Sequence, residues 1–304
     1  MAVRVRLGVF SPAIVAELAI REGIFAANGL EVTTHPVASS PDAFRSLHAG
    51  ELDVLVTSPD NVIAYRFNTS NPLGGRLDTQ ILGGLDRGLG LSLIAAGDVA
   101  TVADLRGADL AVDAPKTGFA FALYALMAQH GMADGVDYRV TSLGVTPRRR
   151  AELVAGRTRA TMLNAGSDLI AEERGCRRLV RVSAALGPYL GSVLAAPEGW
   201  SVGHPDRADA LLSAWADASR RVVDPEGEAK VRTLVATMLG CSSAVAHAFT
   251  ATLADPDEGL VVDGGIDQEA LQTVLDLRTN RGGFDWLVSP TVQTVRDLGL
   301  LRGR

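Results

Sequence analysis

At 304 residues, 47% of them hydrophobic and 21% charged, the chain is a folded protein long enough for two lobes rather than one core. Its net charge of −6, with Arg148-Arg149-Arg150 as the longest basic run, leaves no basic face for a nucleic acid. No stretch approaches the roughly 18 apolar residues of a membrane span.

Val3–Phe10 alternates and then runs apolar, predicting a strand. Ser11-Pro12 follows it and reads as a helix start. The Ser hydroxyl caps free backbone N–H groups, and Pro suits the first helical position. Ile14, Leu18 and Phe25 mark a helix over Ala13–Asn28, broken at Gly23 and closed by Gly29. Leu30–Thr34 is a second strand, and Ser40-Pro41-Asp42 opens a short helix closed by Gly50. A third strand, Leu52–Val56, runs on through Thr57. Ser58-Pro59 then starts a helix reaching Phe67, and Thr79–Leu85 is a fourth strand. This alternation implies a parallel sheet with right-handed crossovers. Leu89–Ala96 is apolar and long enough to leave the first lobe.

The rhythm then restarts. Leu110–Val112 is a strand, Thr117–His130 a helix capped by Thr117, and Tyr138–Leu143 a strand. Thr146-Pro147 starts a helix ending near Gly156. Ala160–Leu163 is a strand followed by Asn164 as a cap, Ser167–Glu173 a helix, and Leu179–Val182 a strand. Tyr189–Ala196 is a second apolar run that returns to the first lobe. The remainder reads as mostly helical. Ala208, Leu211, Leu212, Trp215 and Val222 share one face, Leu271, Val274, Leu275 and Arg278 belong to a later helix, and Ser289-Pro290 opens the last. The expected fold class is α/β with two lobes, each a mainly parallel sheet flanked by helices, joined by two crossover strands. Residues 1–90 and 194–304 form one lobe and 91–193 the inserted other, with the ligand cleft between them.

Helices that begin at the carboxyl ends of parallel strands bring free N–H groups and positive dipole ends to the edge where open α/β sheets bind ligands. Candidate contacts are therefore Ser11, Thr57 and Ser58 in the first lobe, and Thr117, Gly118 and Asn164 in the second. Gly118 lets a ligand approach the backbone. Phe119 packs on an apolar ligand group or faces the core. Lys116, one of only two lysines, pairs with a carboxylate or sulfonate or is merely solvated. Arg87 clamps an oxyanion or makes a surface or hinge salt bridge. Tyr189 offers its ring or hydroxyl to the cleft or packs in the hinge. Arg148–Arg150 read as a solvated face. Cys176 and Cys241 read as free thiols, and the five histidines show no metal-ligand spacing. Gly88-Leu89-Gly90 lacks the third glycine of a dinucleotide fingerprint, and no phosphate loop is present. No cofactor and no metal are expected.

The segments REGIFAANGLEV (residues 21–32) and FRSLHAGELDVLVTSP (residues 44–59) resemble the start of the type II periplasmic binding proteins. They are most like the nitrate/sulfonate/taurine and thiamine-precursor subgroup of ABC transporter solute-binding proteins. Val102-Ala103-Asp104-Leu105-Arg106-Gly107, then Leu110-Ala111-Val112, resembles that family's entry to the second lobe. Thr117-Gly118-Phe119 sits where the family places a ligand-facing helix start. The resemblance covers most of Val3–Trp200. It implies a solute-binding protein that closes as a monomer on a small organic ligand, anionic or polar, and delivers it to an ABC permease. The superfamily also includes lyases acting on small aromatic acids. The alternative is therefore an enzyme using Lys116, Arg87, Asp60 or Asp86 in the same cleft, its late cysteines arguing against a thiol mechanism. A ligand-sensing domain ranks third, for want of an output segment. Arg4 and Arg6 interrupt any apolar signal core at the N-terminus, so the expected location is cytoplasmic unless a signal segment was trimmed.

Overall fold

The computed structural model describes residues 2–302. Four strands open the fold: β1 (Val3–Val9), β2 (Leu30–Pro36), β3 (Val54–Thr57) and β4 (Thr79–Asp86). The next five make a separate sheet: β5 (Ser92–Ala95), β6 (Asp109–Val112), β7 (Arg139–Ser142), β8 (Ala160–Leu163) and β9 (Arg177–Arg181). β10 (Ser192–Pro197) then returns to the first sheet. The strand orders are β2-β1-β3-β10-β4 and β7-β6-β8-β5-β9, so the two sheets repeat one plan. β1 runs parallel to β2 and β3, as β6 does to β7 and β8. The incoming crossover strand is the antiparallel one in each sheet, β10 between β3 and β4, and β5 between β8 and β9. Covered on both faces, β4, β5 and β8 are buried along their whole length, and hence read as near-continuous apolar runs.

Around the first sheet lie α1 (Ile14–Arg21), α2 (Ile24–Ala27), α3 (Ser40–His48) and α4 (Pro59–Phe67). Around the second lie α5 (Gly118–Gln129), α6 (Thr146–Val154), α7 (Ser167–Glu173) and α8 (Val182–Leu186). Gly23, at φ +69°, divides α1 from α2 where a break is expected. The remaining helices are α9 (Glu198–Gly203), α10 (Pro205–Val223), α11 (Glu228–Leu239), α12 (Ser243–Leu253), α13 (Gln268–Thr279) and α14 (Val292–Asp297). They pack on both lobes: α10 on α1 and α2, α12 on α7, and α13 on α4 and α5. The core is shared accordingly. One apolar cluster runs from Phe44 and Ile63 through Leu93 and Phe121 to Leu275.

Two local expectations are corrected. Ser289 does not open α14. It lies at φ +46°, barred from the right-handed helical region by Pro290. Thr291 is the cap, its hydroxyl accepting from the Thr294 N–H at 3.1 Å. The crossover strands are also shorter than their apolar runs. Gly88, Leu89 and Gly90 all have positive φ, so the chain turns before β5 begins at Ser92. Among the described residues no single helix is long and apolar enough to cross a membrane. The pair Pro225–Leu239 and Ser243–Leu253 passes only jointly and is bent by 116°.

Candidate functional site

A cavity of about 280 Å³ opens where the strand ends of the two sheets face each other. Phe10 after β1, Thr57 at the end of β3 and Asp86 at the end of β4 line it from one side. Asp113 after β6, Gly144 after β7 and Asn164 after β8 line it from the other. The first turns of α1, α3, α4, α5 and α6 all reach its wall, because each of these helices follows a strand that ends there.

Seven of the ten residues singled out in the sequence line this cavity: Ser11, Thr57, Ser58, Thr117, Gly118, Phe119 and Asn164. Ser58 caps α4, its Oγ accepting from the Asn61 N–H at 3.2 Å, while Asn61 Nδ2 donates to Thr57 Oγ1 at 3.1 Å. Thr117 caps α5, accepting from the Ala120 N–H at 3.5 Å and donating to Asp113 Oδ1 at 2.6 Å. Ser11 lines the cavity without capping. Pro12 and Ala13 intervene, and α1 begins at Ile14 with no side-chain cap. Nor is Asn164 a cap. Ala165 and Gly166, both at positive φ, carry the chain to the start of α7, and Asn164 Nδ2 donates instead to the Gly88 carbonyl at 3.1 Å. The space that Gly118 leaves open is filled by protein rather than offered to a ligand. A Cβ there would stand 2.8 Å from Asp60 Cβ and 3.1 Å from Tyr189 Oη.

Arg87, Lys116 and Tyr189 do not line the cavity. Arg87 Nη1 donates to the Leu260 carbonyl at 3.1 Å. Lys116 is exposed, and only its carbonyl is engaged, by Arg278 at 3.4 Å. Tyr189 is buried behind Gly118, and burial raises its hydroxyl above the ordinary phenol range. Asp60 is likewise withdrawn from any chemistry in the cleft. It forms a buried bidentate pair with Arg278, at 2.7 and 2.8 Å.

Sequence reasoning missed Arg149, and the solvated-face reading fails for it. The side chain is 1% exposed and lines the cavity. Its guanidinium donates to three neutral oxygens: the Gly144 carbonyl, Thr146 Oγ1 at 3.1 Å and the Met162 carbonyl at 3.2 Å. It makes no ion pair and its Nε has no partner among the described residues. Burial lowers its pKa, and nearby Asp113 opposes that shift. Buried Leu153, four residues on, shares its helix face and is the sequence signal that marks it as inward. Asp86 is the other buried ionisable group in the wall. It accepts from Ser192 Oγ and from the Gly88 N–H at 2.9 Å, yet burial raises its carboxyl above the usual range.

This arrangement suits capture of an anion. Five helix starts and one buried cation converge, while Asp86 and Asp113 supply acceptors for donor groups. The family model of the NMT1-like family matches residues 2–236, more than half of the chain. The chain belongs to the NMT1-like family. Solved structures agree on the fold of this NMT1-like protein. It is similar to the periplasmic aliphatic sulphonate binding protein SsuA of Escherichia coli at 18% identity and a TM-score of 0.74, over 98% of this chain and 97% of that one. The periplasmic nitrate-binding protein NrtA of Synechocystis PCC 6803 aligns at 13% identity and a TM-score of 0.79, over 99% and 86%. The alkanesulfonate-binding protein SsuA of Xanthomonas axonopodis pv. citri, bound to MOPS, aligns at 16% identity and a TM-score of 0.75, over 93% and 94%. At these identities the likeness is one of fold, the two-lobed periplasmic-binding-protein architecture. No curated protein matches the chain.

Proposed function

We propose that this NMT1-like protein is the solute-binding component of an ABC-type uptake system, carrying a small organic anion between its lobes. The lobes are residues 2–90 with 192–302 and residues 91–191, the expected boundary after 193 moving because β10 begins at Ser192, and closure is a hinge motion about the β4–β5 and β9–β10 connections. A permease is the partner that receives the solute. The observation that carries the reading is the convergence of five helix starts and Arg149 on one cavity. Arg149 is buried with no carboxylate in direct contact, and an anionic ligand supplies the charge-assisted hydrogen-bond partner that Asp113, acting from further off, does not. Of the four groups named for a lyase, three are placed elsewhere, Asp60 with Arg278, Arg87 with the Leu260 carbonyl and Lys116 outside the cavity, while Asp86 lines the cavity and there accepts from Ser192 Oγ and the Gly88 N–H.

Isothermal titration with a panel of sulfonates and carboxylates tests this reading. Ser58→Ala with Thr117→Ala, or Arg149→Gln alone, should weaken the best binder at least about tenfold, since each removes a donor or cap worth roughly 1 kcal/mol or more. The bound compound should be recovered unchanged after long incubation. Unaltered affinity in both variants, or conversion of the compound, would overturn the proposal.

A further inference from the structure

The wall of the cavity divides by chemistry. One part is polar, the hydroxyls of Ser11, Ser39, Ser58, Thr117 and Thr146 at or beside the helix starts, with Arg149 of α6. The other part is apolar, Ile14, Leu85, Trp215, Phe249, Leu253 and Leu260, with Asp86 beside Leu260 at its margin. These six belong to one apolar cluster, and none is more than 8% exposed. They come from α1, β4, α10, α12 and the segment after α12, so the C-terminal helices complete the cavity rather than merely buttress it.

Size separates the ligands this space can hold. An apolar cavity of about 150 Å³ accommodates a benzene ring. The whole cavity here is about 280 Å³, room for a ring and an acid group together. A nitrate or a methyl-sized acid held at the helix starts would leave these six apolar residues without a partner. We propose, resting on the solute-binding reading above, that the ligand is an aryl-bearing organic acid. Its carboxylate or sulfonate lies at the helix starts beside Arg149, and its ring lies in the chamber bounded by Trp215, Phe249 and Leu253.

The test is a set of paired titrations of the whole protein: benzenesulfonate against methanesulfonate, and benzoate against acetate. Burying a phenyl group predicts that the aryl member of at least one pair binds about 10- to 100-fold more tightly. The pair that shows it identifies the acid group. Leu253→Trp fills the chamber and should cut the aryl affinity about tenfold or more, lowering the aryl-to-alkyl ratio towards one. Leu260→Phe, at the more accessible edge, is the second variant in case the first does not fold, and the wild-type ratio decides alone if neither does. Equal aryl and alkyl affinities, or aryl binding untouched by a folded chamber-filling variant, would overturn this inference and leave anion carriage standing. Failure of all four acids to bind would overturn both.

Discussion

Arg278→Met is the substitution whose consequence follows most directly from the structure. Arg278, near the end of α13, meets Asp60 in the first turn of α4 through Nε–Oδ1 at 2.7 Å and Nη2–Oδ2 at 2.8 Å. The two side chains are 3% and 1% exposed. The guanidinium also donates to the Gly283 carbonyl at 2.8 Å and stands 5.0 Å from the Phe121 ring of α5, so the pair joins helices of both lobes. Removing the cation strands a buried carboxylate, a loss of about 3–5 kcal/mol. In a protein of this size that lowers Tm by roughly 5–8 °C, readable by scanning calorimetry. Removing both charges with Asp60→Leu and Arg278→Met should recover most of the loss, because the desolvation cost disappears with the attraction. A single-variant loss below about 1 kcal/mol, or a double variant as damaged as the sum of the singles, would refute the reasoning.

Two further outcomes follow from burial. Gly118→Ala should destabilise the protein by about 1–3 kcal/mol, since the new Cβ meets Asp60 and Tyr189, both buried. Ala otherwise favours a helix by about 1 kcal/mol, so a raised Tm would contradict the packing described. Asp168, at the start of α7, pairs with Arg178 at 2.8 Å, yet burial pushes its carboxyl from 3.8 up to about 6. The folded state therefore holds the proton more tightly than the unfolded chain. The associated stability is complete below about pH 4 and is lost as pH rises through about 6, by at most about 3 kcal/mol. Asp168→Asn should flatten that slope between urea midpoints taken at pH 4.5 and pH 7, and an unchanged slope would exclude Asp168 as its source.

The features legible in the sequence are those set by neighbouring residues. Ser58 and Thr117 cap because the N–H each accepts from lies three positions on, in the same turn. The alternation of strand and helix is equally local, and it fixed which strand ends meet. Ser11 and Asn164 look the same in sequence, but two intervening residues turn the chain before a helix begins. Arg87 and Asp86 are adjacent where β4 ends, and neighbouring strand positions face opposite ways. Once Asp86 lines the cavity, Arg87 points towards Leu260, and only the tertiary fold says which of the two is inside. Arg149 is buried by the packing of α6 on β8, and Trp215 and Phe249 reach the cavity from helices far along the chain. No local pattern announces such contributions.

The interior place of β10 governs the order in which the protein can assemble. Every strand of the second sheet comes from one unbroken stretch, residues 92–181, so that sheet can close as soon as the stretch leaves the ribosome. The first sheet cannot. Ser192 pairs with Asp86 across 106 residues, and until β10 arrives, β3 and β4 present unpaired backbone edges. Ile81 waits longer still, for residues 300–302, whose backbone bonds to it at 2.7 and 2.9 Å. The inserted half can therefore close first and serve as the surface on which the earlier-synthesised half is finished, the long-range pairing of β10 being the contact that topology delays.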